Sequence, residues 1–368
     1  MFVKPLLGLV SAAMMLGAGL VPAQTPTSKA GKTDNAALKY FQAFIVMPRH
    51  DDAWKKVMDD WRTVPIDAAA RKVIEDSKDC LYLLHCGARL PRCDWGLNLE
   101  DRADLLMPHL SKARELAQLC LLRARAHFER GKLREGVEDV AATVTLGRQT
   151  GVDSAIIALL VQNAIEQVSL ELAARYLPTL GPEGSKILAA RWESLPVGGT
   201  FRKTVLIEKE YLLGGALKQI KEGTFGVGDP LEAVVRAAGG PKGPIKQMEE
   251  FAAYYDELYL LAALPRTEFL EKTAVLNKKW ASNPFAKLII PAFDKAYEAD
   301  FRTLIKRGMF KAALAIVQNG ADAVKTIPDP GGSGPFEYQA VEGGFELRSQ
   351  LKHGGAPVIM KVGQGKSK

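Results

Sequence analysis

The spacing of the apolar residues is the feature that most constrains the fold of this chain. From Trp54 to Val317 they recur every three or four positions, as on one face of an α-helix. Near the end, "FEYQAV", "GFELRSQL" and "PVIMKV" alternate apolar and polar side chains, as strands do. The sequence therefore predicts a mainly α fold, an irregular bundle or array of antiparallel helix hairpins, with a small C-terminal antiparallel β-meander.

The helix start and stop signals give approximate bounds for these elements. Pro108 is typical of the first turn of a helix, and Gly87 and Gly131 stand where helices are expected to end. Asp153 is expected to cap the helix that begins after it. The predicted helices are, in chain order, 66–86, 108–131, 133–147, 153–177, 200–221, 244–264, 267–280 and 285–317.

A chain of 368 residues, 47% of them hydrophobic, can bury the core of one large domain or of two. We predict an N-terminal helical lobe over residues 34–221 and a C-terminal helical lobe over residues 244–326. The glycine-rich segment 222–243 between them is expected to be a mobile loop or a lobe boundary. Residues 327–368 form the predicted β-meander.

The N-terminal residues are predicted to direct export. Lys4 is followed by the apolar run Leu6–Leu20, and Val21-Pro22-Ala23 offers small residues for cleavage. We expect residues 1–23 to be a signal peptide and residues 24–33 a flexible tether. The run is short for a bilayer span, and no later segment reads as an anchor, so we predict no transmembrane anchor after cleavage. The expected location is periplasmic or secreted.

The charged residues indicate a solvated surface. The 49 basic and 42 acidic residues give a net charge of +7, and they interleave along most of the chain. Such a surface allows weak attraction to anionic envelope surfaces. No basic run or stripe suggests nucleic-acid binding, so we expect no nucleic-acid partner.

Residues 116–146 resemble one degenerate tetratricopeptide-type unit, a helix hairpin closed by "ERGKLREG". Ala124 and Gly136 are small residues at the expected crossing of the two helices. Arg123 and His127 depart from the pattern, because that repeat has apolar or aromatic residues at these positions. The resemblance implies one antiparallel hairpin, whereas an array would need about three units.

The segment "RLPRCDWGLNLE", residues 89–100, joins two predicted helices and raises three interpretations. Cys93 could be a nucleophile with His109 as its base, or thiolates and imidazoles could hold zinc. We favour a structural pin, because aspartate is typical of turns and tryptophan of buried contacts. The polar side chains of this corner are His85, Cys86, Cys93, Asp94, His109, Cys120 and His127. The candidate binding residues are Cys93, Asp94, Trp95, His109 and His127.

The four cysteines are expected to form disulfides if the protein is exported. On one continuous helix, Cys80 and Cys86 would lie about 9 Å apart along the axis, which is too far for a disulfide. We therefore predict Cys80–Cys120 as a bridge between helices and Cys86–Cys93 as a clasp of the corner. The alternative pairing is Cys80–Cys93 with Cys86–Cys120.

Familiar catalytic motifs are missing from the sequence. It has no His-Glu-x-x-His zinc motif and no Gly-x-Ser-x-Gly nucleophile elbow. "GTFGVG" lacks the spacing of a dinucleotide-binding loop, and "GQGKS" has Met360 in place of the first glycine of a phosphate-binding loop. We predict no catalytic residue, no bound metal and no cofactor.

Two resemblances to known families are carried by quoted segments. "RCDWG", "LMPHLSKARELAQLCLLRARAHFERG" and "NPFAKLIIPAFDKAYEADFRTLIKRGMFKAALAI" together resemble a group of uncharacterised exported helical proteins common in planctomycete-type bacteria. This resemblance implies an exported helical fold and no particular activity. The tail "IPDPGGSGPFEYQAVEGGFELRS" is similar to the end of type II secretion major pseudopilins, which implies a long helix followed by a short sheet.

The alternating pattern of the tail predicts which side chains face inward. Gln339 and Glu346 are expected to point to solvent. The residues expected to share one face of the sheet and to pack on the preceding long helix are Phe336, Tyr338, Phe345 and Leu347.

Three functional hypotheses follow from the sequence. The first is an exported, non-enzymatic helical protein that binds an unknown protein or envelope component through its helices or the glycine-rich segment. The alternative is a hydrolase or metal-dependent enzyme that uses the Cys/Asp/His corner at residues 85–127. The third is an envelope-assembly accessory, which only the pseudopilin-like tail suggests.

Overall fold

The computed structural model describes residues 34–97, 107–152, 155–225 and 228–363. These residues are mostly helical and end in a three-stranded antiparallel sheet, so the predicted mainly α fold with a β-meander is confirmed. The elements are α1 (Ala36–Ile45), α2 (Asp52–Asp59), α3 (Ala68–Asp76), α4 (Lys78–Ala88), α5 (Pro108–Glu129), α6 (Leu133–Gly151), α7 (Ile156–Glu193), α8 (Phe201–Glu222), α9 (Pro230–Ala237), α10 (Lys242–Leu261), α11 (Arg266–Trp280), α12 (Ala286–Asn319), a 3₁₀ helix (Ala321–Thr326), β1 (Glu337–Val341), β2 (Gly344–His353) and β3 (Ala356–Gly363).

The segment predicted as one helix over residues 66–86 forms two helices, α3 and α4. Ser77 stands between them, and its hydroxyl donates a hydrogen bond to the Val73 carbonyl oxygen at 2.7 Å. Such a side-chain bond competes with the regular helical pattern and often bends or breaks a helix. The predicted continuous helix is therefore wrong.

Gly87 does not end a helix, as the sequence suggested, but lies within α4. A Cβ atom at this position would stand 2.6 Å from the Tyr40 ring on α1. The glycine is needed for the close approach of the two helices and not for a turn.

The hairpin predicted at residues 116–146 is formed by α5 and α6. Pro108 occupies the first turn of α5, and Gly131 turns the chain with a φ of 71°. Gly136 allows the two helices to cross closely, since a Cβ atom there would lie 2.5 Å from the Phe128 ring.

The helix that follows, α7, is longer than the sequence predicted. It continues past Pro178 and kinks at Gly181, where φ is 64°. The predicted cap Asp153 lies outside the described residues. By length and composition α7 could cross a membrane, whereas no segment after the signal peptide was expected to be long and apolar enough. However, 61% of its most apolar stretch is buried in the protein, as is typical of a central core helix.

The described side chains form two main hydrophobic cores. The first contains α1 to α7, the second half of α12 and the sheet. The second contains α8, α10, α11 and the first half of α12, together with Leu159 of α7. The change of core therefore comes before α8 and not in the glycine-rich segment 222–243. That segment also contains the short helix α9, which the sequence analysis did not predict.

The C-terminal sheet has the strand order β1-β2-β3, with both pairs antiparallel. Phe336, Phe345 and Leu347 are buried in the same core as residues of α12, and Tyr338 is half-buried beside them, as predicted. Gln339 is exposed. The side chain of Glu346 is only 15% exposed, because Arg348 and Lys361 pair with it at 3.0 and 3.6 Å.

Candidate functional site

The corner after α4 is held to the start of α1 by hydrogen bonds. The Asn35 amide donates to the Asp94 carbonyl oxygen and accepts from the Asp94 N–H, each at 2.8 Å. The Asp94 carboxylate accepts the Gly96 N–H at 3.0 Å, at the turn where Gly96 has a φ of 65°. Asp94 is thus an exposed turn residue, and its carboxylate does not reach the buried groups of the corner.

Trp95 fastens the corner to the helices. The indole N–H donates to the Gln149 carbonyl oxygen at the end of α6, at 3.0 Å. Its ring stacks on His109 at a centroid distance of 4.5 Å and on Tyr40 at 5.7 Å. The buried ring therefore joins α1, α5 and α6, which is the arrangement expected of a structural pin.

The pKa shifts of His109 and Cys93 do not favour a nucleophile–base pair. His109 is buried, which lowers its pKa to about 4, and its Nε2 atom has no hydrogen-bond partner among the described residues. Burial raises the pKa of Cys93 to about 12, so its thiol is protonated near neutral pH. A nucleophile would need a lowered thiol pKa and a base within reach.

The predicted disulfides are wrong, because all four cysteines are free thiols. The Cys80 thiol donates to the Ser77 carbonyl oxygen at 3.0 Å, within the first turn of α4. The Cys120 thiol donates to the Asp139 carbonyl oxygen on α6 at 3.4 Å. The break at Ser77 does not separate Cys80 from Cys86, since both lie on α4. The predicted Cys80–Cys120 and Cys86–Cys93 pairs are absent, and the Cys80 and Cys120 thiols bond different backbone carbonyl groups instead.

A second polar cluster lies where α4, α5 and α6 meet, and Asp139 is at its centre. This carboxylate, 3% exposed, accepts hydrogen bonds from Arg123 Nε at 2.9 Å and Nη2 at 2.6 Å. His85 Nε2 lies 2.7 Å from Asp139 Oδ1, and His127 Nε2 lies 3.7 Å from Oδ2. Cys120, Arg123 and His127 reach it together because they are three and four residues apart on one face of α5.

The charge of Asp139 is stabilised by both His85 and Arg123. Burial alone would raise the pKa of Asp139, but the hydrogen bonds from His85 and Arg123 outweigh burial and hold that pKa below its usual value. Burial, and then the nearby Asp139, raise the pKa of the Cys120 thiol. Burial also lowers the pKa of His127. The cluster therefore holds an ionised carboxylate, a guanidinium and a protonated thiol.

The same cluster contains three groups that could hold a metal ion. Each of His85, Cys120 and Asp139 offers one potential metal-ligand atom, and these three atoms lie within 4.8 Å of one another. Imidazole, thiolate and carboxylate are all zinc ligands. Arg123 competes with a cation, since its guanidinium is bonded to both carboxylate oxygens of Asp139. A metal would have to displace that side chain, which is 20% exposed, and to deprotonate Cys120.

The sequence predicted a single polar corner, but its residues divide between two clusters in the structure. Trp95 and His109 lie together, whereas His127, predicted for the same corner, belongs to the Asp139 cluster. Asp139 itself was missed, because it lies off the i, i+3, i+7 stripe of Val137, Val140 and Val144, on another side of α6 that is also buried. The departure of Arg123 and His127 from the tetratricopeptide pattern was the corresponding signal on α5.

A buried carboxylate also lies between the central helices. Glu166 of α7 is fully buried and accepts hydrogen bonds from Arg148 of α6 at 2.6 Å and from Arg307 of α12 at 2.5 and 2.7 Å. Burial opposes its ionisation, but the two arginines lower the pKa of Glu166. Each charge has a partner, so the group ties three helices together and leaves no acceptor free for a ligand.

An apolar groove lies between α10 and α11. It has a cavity volume of about 400 Å³. Leu260 is 65% exposed in it and Val275 is 72% exposed. The residues that line it are Glu257, Leu260, Leu261, Glu271, Lys272, Val275, Leu276 and Lys279. Concave apolar surface with a charged rim is typical of binding sites for other molecules.

Comparison with known proteins gave no significant match to this chain among family models, curated proteins or solved structures.

Proposed function

We propose that the protein is an exported, non-enzymatic binding protein whose partner docks in the groove between α10 and α11. The observation that carries this proposal is the exposure of Leu260 and Val275, large apolar side chains that face a concave surface. The polar clusters are weaker candidates for a binding site, because Asp139 and Glu166 are already paired with arginines.

The shape of the groove favours a helical segment of a partner protein. Its walls are two helices, and Glu271, Val275 and Lys279 follow one another at four-residue intervals along α11. Residues 271–279 cover about 12 Å at 1.5 Å per residue. This length suits two to three turns of an amphipathic helix that places apolar residues at four-residue spacing into the groove.

The charges at the rim define the partner further. Lys279 Nζ lies 2.7 Å from Glu257 Oε1, so the two helices are joined by an exposed ion pair at one end of the groove. Lys272, which also lines the groove, pairs with Glu268 at 2.6 Å along α11. Because both signs are present, the partner helix should carry both acidic and basic residues beside its apolar stripe.

Site-specific photocrosslinking in the producing cells tests this proposal. Benzoylphenylalanine at position 275 should give an adduct with one protein, and the crosslinked peptide should map to an amphipathic helix. The matched control position is Val197, which is apolar and 80% exposed but lies between α7 and α8. A synthetic peptide of that helix should bind the protein, and Val275→Asp should weaken binding at least tenfold while Val197→Asp leaves it unchanged.

Two results would overturn the proposal. One is that position 275 gives the same adducts as position 197, which would indicate unspecific contact. The other is that the mapped peptide binds Val275→Asp as tightly as the unaltered protein. Export is tested separately by mass spectrometry of the N-terminus of the purified protein, where a start near Gln24 is expected from the sequence.

A second candidate function is a divalent-metal centre at His85, Cys120 and Asp139, as in the metal-dependent alternative. The favouring observation is the convergence of three donor atoms within 4.8 Å. Zinc titration followed by elemental analysis should then give one bound ion, which Cys120→Ser removes. Cys80→Ser is the matched control, because that buried thiol is bonded to Ser77 instead. Failure of the unaltered protein to retain zinc after dialysis would reject this candidate.

A further inference from the structure

Helix α11 packs on the protein through one side and leaves the opposite side exposed. Its buried residues are Phe269, Thr273 and Leu276. At about 100° per residue, Ala274 and Val275 lie on the opposite side of the helix, one on each flank of its outermost line. Both are exposed, and Val275 also lines the groove beside α10. The exposed side of α11 and the groove are therefore one continuous surface.

The charges on this exposed side are divided along the helix. Its first half carries the acidic Glu268 and Glu271, and its last turn carries the basic Lys278 and Lys279. Lys272, which lies between them, is paired with Glu268. Acidic residues at the start and basic residues at the end stabilise any helix through its dipole. The division alone therefore does not indicate a partner, and the pairing of the individual charges has to decide.

Two of these charges have no neighbour to pair with. Among the described residues neither Glu271 nor Lys278 takes part in an ion pair, whereas Lys279 is paired with Glu257 across the groove. Glu271 lies three positions before Ala274, and Lys278 lies three positions after Val275. The exposed side thus presents charges of opposite sign at equal distances from its centre.

A second copy of α11 laid antiparallel on the first matches this pattern. A two-fold contact must be self-complementary, because the same surface serves on both sides. With the axis at the level of Ala274 and Val275, each Glu271 comes opposite Lys278 of the other copy. Two ion pairs then flank an apolar centre, in which the small Ala274 permits a close approach.

We infer that the partner in the groove is a second copy of this chain, docked about a two-fold axis with the two α11 helices antiparallel. The inference rests on the proposed groove site and names its occupant. Helix α11 has the features required of that occupant. It places the exposed Leu270 and Ala274 at four-residue spacing and carries both acidic and basic residues beside them.

The extent of the surface indicates a weak dimer. The large apolar side chains exposed on it are Leu260 of α10, at 65%, and Leu270 and Val275 of α11, at 42% and 72%. A contact of two helices from each copy belongs to the small class of protein interfaces, which are transient. We therefore expect an association that depends on protein concentration and weakens with salt, since its ion pairs lie near solvent.

Sedimentation equilibrium of the purified full chain across the micromolar range measures this association. The unaltered protein should form a dimer. Glu271→Lys should weaken it by about tenfold or more, because it opposes like charges at two places in each dimer. Lys278→Glu should do the same. The double variant Glu271→Lys/Lys278→Glu restores both ion pairs in reversed order and should associate as the unaltered protein does.

The matched control is Glu183→Lys, which makes the same change at an 84% exposed glutamate of α7 and should leave the dimer unchanged. Glu271 and Lys278 are exposed, so their variants should keep the thermal midpoint of the unaltered protein. Benzoylphenylalanine at position 275, in a mixture of isotopically labelled and unlabelled chains, should link peptides of α10 or α11 from two different copies.

Three results would reject the inference. They are an unaltered chain that stays monomeric across this range, a Glu271→Lys variant that dimerises as tightly as Glu183→Lys, and a double variant that stays as weak as the single ones. A monomeric chain whose position 275 crosslinks specifically to another protein would reject the second copy and keep the groove as a binding site. Adducts at position 275 that equal those at position 197 would reject the groove itself.

Discussion

Buried carboxyl groups in the two hydrophobic cores have pKa values that are shifted in opposite directions. In the first core, Asp139 and Glu166 each receive hydrogen bonds from arginine, and the pKa of each carboxyl is lowered although burial opposes this. In the second core, Glu208 of α8 accepts, among the described residues, only the Ile156 N–H at the start of α7, at 2.5 Å. Burial, only partly offset by that bond, raises the pKa of Glu208 to about 7.

This difference predicts opposite responses to pH. A carboxyl whose pKa is lowered by folding stabilises the protein above its unfolded pKa, and this stability is lost as the pH falls. A carboxyl whose pKa is raised by folding stabilises the protein at low pH, and this stability is lost as the pH rises. The first core should therefore weaken in acid, while the second should weaken towards and above neutral pH.

The largest effect is expected from removing the shared carboxylate of the first core. Glu166→Leu leaves the partly buried Arg148 and Arg307 without their partner and should lower the free energy of unfolding by about 4 kcal/mol. Urea denaturation measures this change. The control is Glu138→Leu on α6, whose 54% exposed carboxylate pairs with Arg191 and should matter by less than about 1 kcal/mol. Equal effects of the two substitutions would contradict the assigned role of Glu166.

The second largest effect is expected in the pH dependence of stability, through Glu208 in the second core. The pKa of Glu208 rises from 4.5 to about 7 on folding, a difference of 2.5 units. At about 1.4 kcal/mol per unit, this site should cost roughly 3 kcal/mol of stability between pH 4 and pH 8. Glu208→Gln cannot ionise and should remove that loss. Urea denaturation at both pH values, with the exposed Glu210→Gln as control, measures it. A pH dependence unchanged by Glu208→Gln would contradict the raised pKa.

These contrasts show where sequence reasoning stopped. The spacing of the apolar residues and the turn residues were enough to predict α5, α6, α8, α12 and the sheet, because those signals are local. The partners of buried charges are not local. Glu166 and Arg307 are 141 residues apart, and either one, seen alone, is a polar residue on an apolar stripe. Glu208 looks the same in the sequence, yet its hydrogen-bond partner in the described part of the chain is a backbone N–H and not an arginine.

The candidate site shows the same limit on a smaller scale. Trp95 was recognised as a pin from its neighbours, since the turn residues around it are local. Asp139 was missed because its three partners come from two other helices. The disulfide prediction compared the levels of cysteines along neighbouring helices, whereas the partner of each thiol depends on local packing: Cys80 bonds the Ser77 carbonyl oxygen and Cys120 bonds the Asp139 carbonyl oxygen.

A smaller effect is expected at the Asp139 cluster. Asp139→Asn removes the charge that Arg123 neutralises, but the asparagine oxygen can still accept a hydrogen bond, and one arginine loses its charged partner here where two lose theirs in Glu166→Leu. We therefore expect a loss of about 2 kcal/mol, less than for Glu166→Leu, by urea denaturation at pH 7. The exposed Glu135→Gln, one turn earlier on α6, should be nearly neutral. A loss as large as that of Glu166→Leu would show that Arg123 cannot relax and that the two clusters are equally rigid.

The smallest effect has the opposite sign and belongs to the second core. The Tyr255 hydroxyl is buried and has no hydrogen-bond partner among the described residues, while its ring packs edge-on against Phe251 and Phe293. An unpaired buried hydroxyl costs about 1 to 3 kcal/mol, whereas the ring contacts remain when only the hydroxyl is removed. Tyr255→Phe should therefore stabilise the protein by about 1 kcal/mol, which a higher thermal midpoint would reveal. Tyr254→Phe is the matched control, because the Tyr254 hydroxyl donates to Asn277 at 3.0 Å and its removal should destabilise the protein. If both substitutions destabilise equally, the Tyr255 hydroxyl has a partner and the second core satisfies its polar groups as fully as the first.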